Sequence, residues 1–168
     1  MTDTLKSICE QCTYLINPQL DFIPNDSPRQ KELILRDLTE LVSAASNEHE
    51  KTVVLLAGSI LEGVLFAFLQ AQEAYIAGRR GQFTFDPELG LEGFKNTFNR
   101  WFGDVFPNVR LPDFIVEYRD LVHINRELSS PPDLCGQASR SLLRILNFLL
   151  GELAGFAPPS SADQRPAT

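Results

Sequence analysis

Apolar residues recur at helical spacing over most of the chain. After Ser27-Pro28 they fall at Ile34, Leu38, Leu41 and Ala45, while Lys31, Glu32, Asp37 and Glu40 occupy other faces. That spacing predicts an amphipathic helix. Ser27, Pro28 and Gln30 supply its start signal, a cap, a first-turn proline and the second half of a capping box. From Glu48 to about Ala77 apolar positions run nearly all round, which predicts one long helix enclosed by others. Its small residues Ala57, Gly58 and Ser59 would let a neighbour approach closely. Gly78-Arg79-Arg80-Gly81 ends it, and a loop through Asp86-Pro87 and Gly90 follows, with room for a short extended piece at Gln82–Phe85.

Helical spacing returns at Leu91, Phe94, Phe98 and Trp101, and Gly103 and Pro107 terminate that element. Leu111 to His123 predicts a short helix with Phe114, Ile115, Tyr118, Leu121 and Val122 as its apolar contacts. Ser130-Pro131-Pro132-Asp133 opens a last helix reaching about Ala154. Its stripe is Leu134, Ala138, Leu142, Ile145 and Leu149, widened by Leu143, Leu146 and Leu150. No alternating strand pattern of useful length competes. The predicted fold is all-α, an up-down bundle of about five helices. Residues 1–25 read as an N-terminal segment whose short helix runs to about Tyr14 and breaks at Asn17-Pro18. Residues 26–156 read as the bundle, and 157–168 as a tail too poor in apolar surface to order.

At 168 residues, 43% hydrophobic and 22% charged, the chain can bury a core without disulfides or metal. Its formal charge of −7 and pI near 4.8 oppose undirected attraction to phosphate backbones or anionic lipid. The opening MTDTLKSICEQC lacks the pattern of a secretory signal, and three cysteines read as reduced thiols, so a soluble cytoplasmic protein is expected. The apolar run Val53–Leu69 is shorter than the about 20 residues of a membrane span and carries Glu62 near its middle. A buried core helix accounts for it better, and no membrane partner is expected.

The stretch with most chemistry is Tyr118-Arg119-Asp120-Leu121-Val122-His123, followed by Asn125-Arg126-Glu127. On a helix Arg119 and His123 emerge on one face. An arginine fork can hold a phosphate, and an imidazole can exchange a proton near neutral pH. Those are the parts required for metal-independent cleavage of an RNA phosphodiester by its 2′-hydroxyl; one chain offers a single such pair, and two copies across a dimer axis would build a fuller site. The alternative is that Arg119, Asp120 and His123 simply end a helix, with His123 at its negative pole. Glu62 likewise has two readings. Such a carboxylate either meets Arg119 or His123 across the bundle as a buried pair, or marks one narrow exposed strip of its helix.

GSILEGVLFAFL at 58–69, YRDLVH at 118–123 and the closing SLLRILNFLLGEL together resemble the HEPN superfamily. They are similar in particular to an uncharacterised bacterial group in which a leucine-rich helix with an embedded glutamate precedes a "YRN-L-hydrophobic-H" helix end. The resemblance covers about residues 27–153. It implies a helical bundle, usually a homodimer, of a kind found in toxin–antitoxin, abortive-infection and CRISPR-associated systems, some members being RNases and others binding or scaffold domains. It places Arg119 and His123 at the family's arginine and histidine and Asp120 at the polar position after the arginine; Glu62 and Arg126 are read beside them as supporting residues. Two features depart from the pattern. The spacer between arginine and histidine is shorter than in active members, and Ile124 stands where the group often has proline. With the acidic charge, these favour a non-catalytic interaction or accessory protein with a possible protein partner. The alternative is a metal-independent RNase, the one reading in which RNA is a partner.

Other candidates are weaker. Cys9 and Cys12 have metal or redox spacing but no second half, so no metal and no cofactor is expected. Between Arg79 and Arg110, Arg79, Arg80, Lys95, Arg100 and Arg110 are interleaved with Phe83, Phe85, Phe94, Phe98, Trp101, Phe102 and Phe106. This could be a single-strand stacking surface, although the helical spacing of Leu91, Phe94, Phe98 and Trp101 reads as core. Phosphate-loop, dinucleotide, HExxH, GxSxG and EF-hand patterns are absent from the sequence.

Overall fold

The computed structural model describes residues 4–24, 27–80, 83–120 and 133–156. Among them lie eight helices and no strand: α1 (Leu5–Gln11), α2 (Thr13–Ile16), α3 (Pro28–Ser46), α4 (Glu50–Ala71), α5 (Glu73–Arg80), α6 (Gly90–Phe102), α7 (Phe114–Asp120) and α8 (Leu134–Ala154). The helix count exceeds the expected five or so because two segments divide. The N-terminal piece breaks at Cys12 into α1 and α2. The long segment breaks at Gln72, whose backbone (φ −98°, ψ 7°) leaves the helical basin. α5 restarts there, and the Glu73 carboxylate accepts the Phe85 amide at 3.0 Å across the following connection. Residues 83–86 form no strand.

α4 is the central rod, packed by α3, α6, α7 and α8. Val53, Val54, Ala57, Leu61, Val64, Leu65, Phe68 and Leu69 on it are wholly buried. By length and composition α4 could cross a membrane, but 61% of its most apolar window is buried inside the bundle. α3 turns in the expected stripe of Ile34, Leu38, Leu41 and Ala45, and Ala44 beside it. Ser27 holds the cap position of α3 without a side-chain capping bond, while Pro28 takes the first turn as expected. α8 buries Leu142, Leu143, Leu146, Leu149, Leu150 and Leu153, and leaves Ile145 half-buried.

Leu5, Ile8, Cys9, Cys12 and Leu15 share one hydrophobic cluster with α3, α4 and α8. The N-terminal helices are tied in twice. The Glu48 carboxylate accepts the Leu5 and Lys6 amides, each at 3.0 Å, and so caps α1 from outside its own helix. Glu48 does so from a left-handed backbone (φ 57°), just before α4. On the other side Asn147 of α8 accepts the Tyr14 amide at 2.9 Å, and Gly151 leaves room for the Tyr14 ring.

Phe68 gathers the aromatic core. The rings of Phe22, Phe98, Phe102, Phe106 and Phe156 lie 4.8–6.1 Å from it, mostly edge-on or tilted. The aromatic residues of 83–110 therefore form core more than stacking surface: Phe94, Phe98, Phe102 and Phe106 are buried, whereas Arg100 and Arg110 are exposed. Trp101 is half-buried beside Phe83, with the Arg100 guanidinium 5.0 Å from its ring.

A candidate cleft between α4 and α7

Although α4 is apolar nearly all round, it keeps one strip open. Leu55, Ser59, Glu62, Gly63 and Phe66 follow one another at helical spacing, and each is exposed or half-buried. Ser59 and Glu62, two polar residues inside the leucine-rich run, mark that strip in the sequence. The strip forms one wall of a cleft of about 550 Å³, closed by Pro87 and Phe94 on one side and Arg119 on the other.

Arg119 stands in the last turn of α7, and three contacts set where that helix lies. At its foot, Asn99 of α6 grips the backbone of Leu111 twice, donating to its carbonyl at 2.8 Å and accepting its amide at 3.0 Å. Lys95, only 3% exposed, sends its ammonium to Asp113, the residue before α7. At the far end the aliphatic stem of Arg119 rests on Gly58: a β-carbon built there would stand 2.9 Å from Arg119 Cγ and 3.1 Å from its Cβ. Between these ties Ile115 is fully buried.

From that position Arg119 reaches Glu62, with Nη2 3.6 Å from Oε2. The pair is not buried, as one of the two expectations had it. The Glu62 side chain is 33% exposed and that of Arg119 46%. The distance exceeds an ordinary hydrogen bond, so the contact is a solvated ion pair worth at most about 1 kcal/mol. An open strip removes the desolvation penalty that made a lone carboxylate in an apolar helix look costly.

The cleft thus brings Glu62 and Arg119 together. Asp120 closes α7 and is half-buried. His123 and Arg126, like the tail 157–168, lie outside the described residues. Leu55, Phe66 and Pro87 carry no sequence signal for a site, Phe94 is expected only in a stacking surface or the core, and neither Lys95 nor Asn99 is marked in the sequence as a group that aims α7. No local pattern marks these last two, because their partners Asp113 and Leu111 lie on the far side of a turn.

Cys9 and Cys12 are free and buried, and Cys12 Sγ lies 4.0 Å from the Leu143 carbonyl oxygen. Burial raises both thiols, Cys12 to about 11. Among the described residues no group of three His, Cys, Asp or Glu side chains is placed to hold a metal. Compared with protein-family models, with curated proteins and with solved structures, the chain finds no match.

Proposed function

We propose that this protein is a HEPN-like helical domain that acts without catalysis, as a homodimeric interaction or accessory protein in the bacterial cytoplasm, in a defence or toxin–antitoxin context. Its working surface is the cleft between α4 and α7. The observation that carries the non-catalytic part is the ion pair at that cleft: the Arg119 guanidinium already faces the Glu62 carboxylate at 3.6 Å. In a chain of net charge −7, that arrangement offers little uncompensated positive field to a phosphodiester. The order of elements, a leucine-rich rod bearing Glu62 with the short Arg119 helix docked on it, supports the HEPN-like reading. Sedimentation equilibrium tests the dimer: twice the 18.8 kDa chain mass is expected, and a single-chain mass at micromolar concentration contradicts it.

The second reading is a metal-independent RNase, favoured by the half-exposed position of Arg119 on the cleft. Arg119 would then hold the scissile phosphate, His123 would act as general acid or base, and Asp120 would orient one of them. That chemistry places a phosphate on the guanidinium beside the Glu62 carboxylate, and incubation with RNA separates the two readings.

A further inference from the structure

We propose that the α4–α7 cleft binds a small zwitterion with a large apolar side chain, an α-amino acid of the phenylalanine or leucine type. This deepens the reading of the cleft as a working surface and rests on it. At about 550 Å³ the cleft is of the size that holds small ligands, and it combines an apolar wall with a few convergent charged groups, as such sites do.

The charges select the ligand. A simple anion attracted by Arg119 meets the Glu62 carboxylate 3.6 Å away, and a simple cation meets the guanidinium. A neutral apolar molecule leaves both charges as they were. A molecule carrying a carboxylate and an ammonium on one carbon satisfies both sides at once, its carboxylate on Arg119 and its ammonium on Glu62. One long, solvated ion pair is exchanged for two charge-assisted contacts, and little is lost in the exchange because the internal pair is half-exposed. Beside the charges, Leu55 is 51% exposed and Phe66 stacks edge-on against Phe94 at 5.7 Å. This wall is fixed by core packing, since Phe94 is buried. Covering it with an aromatic or branched side chain supplies the hydrophobic part of the binding.

The test is isothermal titration of the full chain with L-phenylalanine, and with three molecules that each lack one element: 3-phenylpropanoate without the ammonium, phenethylamine without the carboxylate, and glycine without the side chain. Saturable binding of phenylalanine, with each of the other three at least about tenfold weaker, is expected. Glu62→Gln and Arg119→Gln should each weaken phenylalanine by about tenfold. Arg119→Gln should leave phenethylamine no weaker, and Glu62→Gln should leave 3-phenylpropanoate no weaker, a crossed pattern that general damage to the fold cannot produce. Equal binding of all four molecules, no binding of phenylalanine, or loss of every ligand in both variants overturns the inference. A dimer that leaves RNA intact yet binds no amino acid overturns it while leaving the proposed function standing.

Discussion

Gly58 and Arg119 touch where a side chain on the first would displace the second: a methyl group at Gly58 would stand 2.9 Å from Arg119 Cγ. Cγ belongs to the stem of the side chain and not to its free end, and Cβ stands at 3.1 Å, so relief requires a new Arg119 rotamer together with a small shift of α7. The glycine in the central rod is therefore the seat on which the short arginine-bearing helix rests.

Substituting Gly58→Ala is expected to destabilise the protein by about 1–3 kcal/mol, the usual cost of overpacking, despite alanine's higher helix propensity. Gly63→Ala on the same helix should do the reverse. There the nearest heavy atom is Ile34 Cγ1 at 3.7 Å, an ordinary contact, and removing glycine from a helix interior gains up to about 1 kcal/mol. Urea unfolding of both variants checks the opposite signs. Equal effects would mean that the Gly58–Arg119 approach is not close.

Asn99 should be as important to α7 as Gly58, from the other end. Asn99→Ala removes both bonds to Leu111 and is expected to cost about 1–3 kcal/mol. Asn99→Asp should not rescue it, because a carboxylate cannot donate to the Leu111 carbonyl. Urea unfolding of the two variants at neutral pH is the measurement.

Two carboxylates make the fold sensitive to acid. Hydrogen bonding and charge from Lys95 hold the Asp113 carboxyl below its ordinary range. The Lys6 amide, with those of neighbouring Leu5 and the Thr4 hydroxyl, does the same for Glu48. A carboxyl lowered in the folded state contributes stability that is complete above its unfolded pKa and disappears as pH falls through the folded value. Stability should therefore drop below about pH 4. Asp113→Asn and Glu48→Gln should each be less stable at pH 7 and show a flatter acid limb, measured by thermal melts from pH 7 to pH 2.5.

Thiol reactivity should follow burial. Cys135 is half-buried, whereas Cys9 and Cys12 are buried and their thiols raised. Iodoacetamide at pH 8 is expected to modify Cys135 first, and Cys9 and Cys12 only on unfolding. Mass spectrometry of timed samples reads the order, and early labelling of Cys12 would contradict the packing of α1 and α2 against α8.

The helical class and most core faces are legible in the sequence because helical burial is periodic: Ile34, Leu38, Leu41 and Ala45 announce their face unaided. The break at Gln72 is not legible, since nothing in its neighbours departs from a helix former; the backbone turns there to carry α5 and the Phe85 connection. Within the cleft, Glu62 stands out as the charge in an apolar run, and Arg119 through its motif. Their meeting and an exposed strip at Glu62 could each be expected, but as alternatives; that both hold at once could not, because it depends on which strip of α4 the other helices leave open. Lys95 is the opposite case. Its charge suggests a surface residue, yet its side chain is buried and only the ammonium reaches out to Asp113 beyond the turn.

The proposed function requires that Arg119, paired with Glu62, take no part in phosphodiester cleavage. Incubating the purified protein with total RNA, without added metal and beside Arg119→Ala and His123→Ala controls, tests this most directly. RNA of unchanged length is expected in all three samples. Cleavage by the unaltered protein that vanishes in both controls would contradict the proposed function.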